Sequence, residues 1–205
     1  MTESQEAPPP RRPWVALYGP AGCGKDTIAA HLVESFGFTR VAFADPVRQM
    51  ALAIDPYVNT ETVLERPELI SPIPGITRLS TVVESVGWET AKRDYPEVRR
   101  LLQTIGTDAV RSVHPDFWVE LALKAAMAAE GAVVFTDTRF PNEVGAIRYF
   151  GGMVARVDRE VDSIGSHVSE SALHEVAPDL ILQNIGPIEE TPLLAAAVIR
   201  RLLTP

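Results

Sequence analysis

One glycine-rich segment constrains the fold of this chain more than any other part of its sequence: residues 19–25, which read GPAGCGK. It follows the apolar run of residues 14–18 and precedes residues 25–36, in which apolar side chains recur every four positions. A buried strand, a glycine turn and a helix in this order are typical of the phosphate loop G-x-x-x-x-G-K, because glycines let backbone N–H groups converge on phosphate oxygens. The motif predicts a site for nucleotide phosphates at Gly19, Ala21, Gly22, Cys23, Gly24 and Lys25, with Lys25 reaching the β- and γ-phosphates.

Further short apolar runs predict an open, doubly wound parallel sheet. The five predicted strands are residues 14–18, 39–43, 132–136, 153–157 and 180–182. Helices are predicted between them, including one that begins at Pro141 and one over residues 188–203. Strands and helices alternate in this way in parallel α/β folds, whose crossovers are right-handed. The predicted fold class is therefore α/β, a five-stranded parallel sheet flanked by helices.

A long helical stretch interrupts this alternation. Its predicted helices are residues 46–54, 81–93, 96–112 and 116–130, and the proline-rich stretch 67–75 suits a small hairpin. Residues 1–13 carry four prolines without periodicity and are predicted to form a disordered tail. We therefore expect one domain over residues 14–205, with a core of residues 14–45 and 131–205 and a helical insertion over residues 46–130.

Composition restricts the class of protein. The chain has 205 residues and a formal net charge of −8, so it lacks the basic balance used to bind a nucleic acid polymer. Its single cysteine, Cys23, excludes an intrachain disulfide and a cysteine-based zinc cluster. No apolar run reaches the roughly 18 residues that span a bilayer, and the N-terminus lacks the apolar core of a signal peptide. We expect a soluble intracellular protein that binds neither a membrane nor a nucleic acid polymer.

Three side chains are candidate ligands for Mg²⁺. The Ser or Thr that usually follows the lysine is replaced by Asp26, and Thr27 comes next. A carboxylate this close to phosphates is costly unless a cation neutralises it, which indicates Mg²⁺ at Asp26 or Thr27, unless Asp26 only caps the helix. Asp137 ends the strand 132–136, where a second metal-binding acid is expected, with a strand-end cap as the alternative. The next residue is Thr138, not the glutamate of motor ATPases, and no N-K-x-D motif occurs, so transfer to a substrate is favoured over hydrolysis.

Six segments carry a resemblance to a known family. They are residues 19–27 (GPAGCGKDT), 43–48 (FADPVR), 103–111 (QTIGTDAVR), 116–118 (DFW), 136–143 (TDTRFPNE) and 167–170 (HVSE). In this order they resemble the deoxynucleoside monophosphate kinases of tailed bacteriophages over nearly all of residues 14–203. The resemblance implies the P-loop kinase fold, with a helical monophosphate-binding insertion and a short mobile lid at about residues 159–177. It also implies the reaction ATP + dNMP → ADP + dNDP with Mg²⁺.

The resemblance also implies roles for individual side chains. The catalytic residues would be Lys25, Asp137, Arg139, Arg156 and Arg159. Lys25, Mg²⁺ and the arginines would neutralise charge during transfer, Asp137 would serve the metal, and it stays open whether Arg156 or Arg159 acts. Asn184 would lie in the adenine-side turn, with an ordinary Asn-x-Gly turn as the alternative. The acceptor would be bound by Asp45, Arg48, Gln103, Gly106, Thr107, Arg111, Trp118 and Glu170. Trp118 is either a surface on which the base stacks or a core residue, and Arg139 either faces the phosphoryl group or pairs with Glu143.

Two other functions stay open. The first is another small-molecule kinase on the same core, such as a dephospho-coenzyme A or phosphomevalonate kinase. The second is a nucleotide-binding module without turnover, against which the arginines and the strand-end acid argue. Stacking tolerates several bases, since every base has a π-face, whereas a preference for deoxyribose is implied by the resemblance alone. The resemblance further implies the cytoplasm of a host cell and leaves a homodimer open.

Overall fold

Five short apolar segments form one parallel sheet in the computed structural model, which describes residues 12–60, 75–159, 173 and 175–203. The sheet contains β1 (Trp14–Tyr18), β2 (Thr39–Val41), β5 (Val133–Phe135), β6 (Met153–Asp158) and β7 (Leu180–Gln183). Their order is β2-β5-β1-β6-β7, and every neighbouring pair is parallel. The predicted five-stranded parallel sheet is thereby confirmed. A separate antiparallel pair, β3 (Tyr57–Asn59) and β4 (Ile76–Arg78), lies in the insertion.

Helices connect and flank the strands. They are α1 (Lys25–Phe36), α2 (Asp45–Ile54), α3 (Leu79–Asp94), α4 (Pro96–Gln103), α5 (Val110–Val113), α6 (Phe117–Ala128), α7 (Pro141–Tyr149) and α8 (Thr191–Leu203). A π-helical segment, Thr104–Ala109, separates α4 from α5, and a 3₁₀ turn, Ile188–Glu190, precedes α8. Among the residues that the structure describes, no helix is long and apolar enough to cross a membrane.

The central strand β1 is buried on both faces, as its uninterrupted apolar sequence predicts. On one face, Val15 and Leu17 share an apolar cluster with residues of α1 and α8, among them Ile28, Leu32, Ala195 and Val198. On the other face, Trp14 and Ala16 share a cluster with residues of α6 and α7, among them Val119, Ala122, Val144 and Ile147. The sheet therefore has a helical layer on each side.

The chain divides into two compact units, and the boundary differs from the predicted one. One unit comprises Met1–Phe43 and Val119–Pro205, and the other comprises Ala44–Trp118. The insertion was expected to extend to residue 130, but most of α6 belongs with the sheet. The reason is that Val119, Ala122 and Ala126 of this helix are buried in the cluster around Trp14 and Phe135.

The ends of the predicted elements show two further differences. Of the predicted tail 1–13, only Arg12 and Pro13 are described. The Arg12 N–H donates to the Phe150 carbonyl at 2.9 Å, and the Pro13 carbonyl accepts from Val133 at 3.1 Å. The prediction of one helix over residues 96–112 is wrong in detail, because the π-helical segment interrupts it.

Leu17 and Leu193 form a matched pair for testing the core. Leu17 is fully buried between β1 and its helices, whereas Leu193 on α8 is 69% exposed. Leu17→Ala leaves a cavity and should lower the free energy of unfolding by about 2–5 kcal/mol. Leu193→Ala should change it by no more than about 0.5 kcal/mol. Urea unfolding followed by circular dichroism measures both values, and equal losses would contradict the assigned core.

Candidate functional site

The glycine-rich turn between β1 and α1 has the backbone conformation of an anion-binding loop. Gly19, Gly22 and Gly24 have φ values of 143°, 77° and 98°, which residues with a side chain rarely adopt. Gly24 is the N-cap of α1, and no side chain caps this end of the helix. The first N–H groups of such a helix remain available to an anion, and the helix dipole favours negative charge there. The geometry of this turn therefore suits a phosphate group.

Lys25 places its ammonium group over the start of the same turn. Its Nζ donates to the carbonyl oxygens of Gly19 at 2.8 Å and Pro20 at 2.7 Å. Within the described part of the chain, no carboxylate lies within ion-pair distance of Nζ. Phosphate oxygens would therefore displace only neutral carbonyl groups, and the positive charge of Lys25 is available to them.

The candidate metal ligands lie at the start of α1 and after β5. Asp26 and Thr27 are exposed on the first turn of α1. Asp137 is half-buried after β5, and its Oδ1 accepts the Phe43 N–H at 2.8 Å. In the described residues no group of three or more His, Cys, Asp or Glu side chains is placed to hold a metal ion. A magnesium ion needs no such group, since it is commonly held by one or two carboxylates, water and the substrate's own phosphates, so this donor set fits it.

Asn184 follows β7, and its side chain points at the phosphate loop. It is 6% exposed, and its Nδ2 donates to the Cys23 carbonyl at 2.7 Å. The Asn184 amide is thus bonded to the loop, while the adenine-side role of the turn that it begins stays a prediction. Its backbone N–H also donates to the Asp158 carbonyl at 2.8 Å, so the start of the turn is fixed to β6.

Arg139 is exposed on a turn that a buried carboxylate fixes. Glu143, at 1% exposure, accepts the backbone N–H groups of Arg139 at 2.7 Å and Phe140 at 3.1 Å through Oε2. Among the described residues the Arg139 guanidinium forms no ion pair, so the alternative of a pair with Glu143 is wrong. Sequence reasoning missed this capping role, although Pro141 at the first helical position and Glu143 at the third indicate it.

The two arginines proposed for the lid differ in their surroundings. Arg156 makes a two-point bond with Asp158, from Nε to Oδ1 at 2.8 Å and from Nη2 to Oδ2 at 3.0 Å, and this bond raises the pKa of Arg156. Beside it, burial raises the pKa of Tyr18, whose hydroxyl donates to the Val176 carbonyl at 3.0 Å. Arg159 is exposed and has no ion pair within the described residues. The remaining lid residues 160–172, with Glu170, lie outside the part that the structure describes.

In the unit of Ala44–Trp118, Arg48 belongs to a charged cluster on α2 and α3. Its Nη2 donates to Glu89 at 3.1 Å, its Nη1 lies 3.8 Å from Asp45, and its guanidinium lies 5.8 Å from the ring centroid of Trp88. Lys92 donates to the same Glu89 oxygen at 2.7 Å. Burial opposes the ionisation of Glu89, but its bonds with Lys92 and Arg48 lower its pKa below the ordinary value. Sequence reasoning named Arg48 and Asp45 but missed Trp88, Glu89 and Lys92.

The remaining acceptor-side candidates lie at or beside the π-helical segment. Val110 donates its N–H to the carbonyl of Ile105, five residues back, while the Gly106 carbonyl accepts the Trp118 indole N–H at 2.8 Å. Trp118 is 1% exposed, so of its two predicted roles the core residue is the one found, and its ring offers no stacking face. Of the other candidates, Thr107 is exposed, and Gln103 and Arg111 are half-buried.

Comparison with known proteins gives a consistent result. A family model described as deoxynucleotide monophosphate kinase matches residues 75–193. A curated protein of Acanthamoeba polyphaga mimivirus, provisionally described as a deoxynucleotide monophosphate kinase, is 28% identical over 199 residues, which cover 86% of this chain and 90% of that protein.

Two solved structures resemble the chain more distantly. Dephospho-CoA kinase from Campylobacter jejuni has a TM-score of 0.45 and 14% identity, covering 93% of this chain and 97% of its own. Shikimate kinase from Aquifex aeolicus has a TM-score of 0.42 and 12% identity, covering 91% and 96%.

Glu143 gives a test of how the Arg139 turn is held. Glu143→Ala removes the acceptor of two backbone N–H groups and should lower the free energy of unfolding by about 1–3 kcal/mol. Glu143→Gln, whose amide oxygen still accepts, should lose less. Glu34→Ala is the control, because Glu34 is exposed on α1. Denaturant unfolding checks all three, and equal losses for the alanine and glutamine variants would contradict the capping role.

Proposed function

The chain belongs to the deoxynucleotide monophosphate kinase family, and on that premise we propose that it transfers the γ-phosphoryl group of ATP to deoxynucleoside monophosphates. The products are ADP and a deoxynucleoside diphosphate. The observation that carries this proposal is the phosphate loop, in which three glycines of positive φ lead into the uncapped α1 and the ammonium group of Lys25. We place the reaction in the cytoplasm, where both nucleotide substrates are found.

Phosphoryl transfer between two phosphates requires the protein mainly to position them and to neutralise their negative charge. An oxygen of the acceptor phosphate, already anionic near neutral pH, attacks Pγ of ATP, and the bond from Pγ to the bridging oxygen of ADP breaks. No general base is needed, so catalysis rests on placing the phosphates and neutralising their charge. Lys25 would contact the β- and γ-phosphates. When Mg²⁺ is bound at Asp26 or Thr27, with Asp137 as a further ligand, it neutralises phosphate charge.

The arginines differ in their ion pairs with carboxylates, and this difference supports different roles for them in the reaction. Arg139 and Arg159 have no ion pair within the described residues, so each can bind phosphate oxygens without first breaking a bond to a carboxylate. Arg156 would first have to give up its two-point bond to Asp158. We therefore assign phosphoryl contact to Arg139 and favour Arg159 over Arg156 as the second arginine.

On the acceptor side, we propose that Arg48 binds the monophosphate. A phosphate dianion would compete with Glu89, which is 79% exposed and shared with Lys92, for the guanidinium group. Asp45, Gln103, Gly106, Thr107 and Arg111 remain proposed acceptor contacts, as does Glu170, whereas the buried Trp118 supports the Gly106 backbone.

Lys25→Ala tests the phosphate loop. The variant should lower kcat/KM for ATP by at least about 10²-fold, because a charge aimed at the transferred phosphate is lost. Its melting temperature should stay unchanged, since Lys25 contributes nothing to the core. Lys124→Ala, which removes an exposed lysine on α6, is the charge-matched control and should retain activity. Turnover by folded Lys25→Ala at the wild-type rate would remove the loop from the mechanism.

An acceptor panel tests the substrate class. We expect kcat/KM to be similar for several of dAMP, dGMP, dTMP and dCMP, because the proposed contacts reach the phosphate that all of them share. We expect a lower value for AMP. A coupled ADP assay with ATP and Mg²⁺ measures each value, with dephospho-coenzyme A and phosphomevalonate as controls. Use of a single base would contradict the base tolerance, equal use of AMP and dAMP would contradict the deoxyribose preference, and transfer to a control alone would overturn the proposed reaction.

A further inference from the structure

The phosphate loop is supported by the ends of two strands beyond β1. A Cβ added to Gly19 would lie 2.3 Å from the Val157 carbonyl oxygen of β6. A Cβ added to Gly24 would lie 2.3 Å from Nδ2 of Asn184, which follows β7. A side chain at position 19 is therefore excluded by backbone, and one at position 24 would have to displace the Asn184 amide, in addition to the strain of the positive φ values.

The bond from Asn184 acts on one particular peptide group of the loop. Its Nδ2 donates to the carbonyl oxygen of Cys23, whose peptide bond is shared with Gly24. In a trans peptide the C=O and N–H point in opposite directions, so the Gly24 N–H points away from Asn184. Among the described residues this N–H has no acceptor. The buried amide thus turns one donor of the loop outward.

We propose that Asn184 is a positioning residue for the phosphate loop, which orients the Cys23–Gly24 peptide so that the Gly24 N–H donates to a nucleotide phosphate. This inference rests on the ATP site of the proposed function and goes beyond it, since Asn184 contacts the loop and not the nucleotide. Without the amide, the buried Cys23 carbonyl loses its partner, and the peptide can rotate toward another one. The apparent affinity for phosphates then falls in proportion to the fraction of the protein whose loop keeps the phosphate-binding conformation.

A ligand that has phosphates but no base separates this role from contact with adenine. Inorganic triphosphate with Mg²⁺ occupies a phosphate loop and leaves an adenine site empty. A positioning role predicts that Asn184 variants lose affinity for triphosphate and for ATP by similar factors. Contact with adenine predicts a loss for ATP alone, and a role only in stability predicts a lower melting temperature with unchanged affinity in the folded variant.

The experiment measures dissociation constants for inorganic triphosphate and ATP by isothermal titration calorimetry. Asn184→Ala and the uncharged, similarly sized Asn184→Leu should both raise the constant for triphosphate about tenfold, because both remove the donor to the Cys23 carbonyl. Gln183→Ala is the matched control, since it removes the neighbouring exposed amide, whose Nε2 donates to Asp158, and should stay within about twofold of wild type. Circular dichroism establishes that each variant is folded, and Asn184→Leu decides if Asn184→Ala does not fold.

The outcomes separate this inference from the proposed function. A folded Asn184 variant that binds triphosphate within twofold of wild type would overturn the positioning role, as would a loss confined to ATP. A wild-type protein that binds neither ligand would overturn the phosphate loop assignment and this inference together. A wild-type protein that binds both ligands but phosphorylates no monophosphate would overturn the proposed function. The positioning role of Asn184 would then still be decided by the ratio of variant to wild-type dissociation constants for triphosphate and ATP.

Discussion

The carboxyl end of β1 meets the Val157 carbonyl of β6, and this contact governs the turn that follows. A side chain at position 19 would lie 2.3 Å from that oxygen, so the chain can leave β1 there only as glycine. Because β1 lies between β5 and β6, the segments that follow those two strands reach the same edge of the sheet. Asp137 and Arg159 are carried there by strand order alone. The sheet therefore selects the side chains that accompany the phosphate loop.

Around this edge, buried polar groups bond to the backbone, whereas the exposed guanidinium groups of Arg139 and Arg159 form no ion pair among the described residues. Glu143 accepts two backbone N–H groups, and Asn184 donates to a carbonyl. Each such bond fixes a turn, because a buried polar atom without its partner would cost free energy. Arg139 and Arg159 are exposed instead, so their guanidinium groups can bind and release a phosphate without disturbing the turns that carry them.

The sequence predicts the sheet better than it predicts the surroundings of the site. Runs such as residues 14–18 indicate buried strands without reference to the rest of the chain, and all five were found. The contact between Asn184 and Cys23 joins residues that are 161 positions apart, and no local pattern marks it. The sequence left the role of Trp118 open for a related reason: whether its ring faces a ligand or lies buried with its N–H on the Gly106 carbonyl depends on how the helices of the insertion pack.

The glycines of the phosphate loop and Asn184 form one structural unit. Phosphate binding by itself would require only that Gly24 present an N–H and adopt a positive φ. The amide of Asn184 fills the space where a Cβ would lie, so a side chain at position 24 would displace this amide before any nucleotide arrives. The loop can therefore be preorganised by contacts within the protein, which reduces the conformational free energy that phosphate binding must supply. An amide donor that can fill this space and reach the Cys23 carbonyl is thus as much a part of the phosphate loop as the glycines themselves.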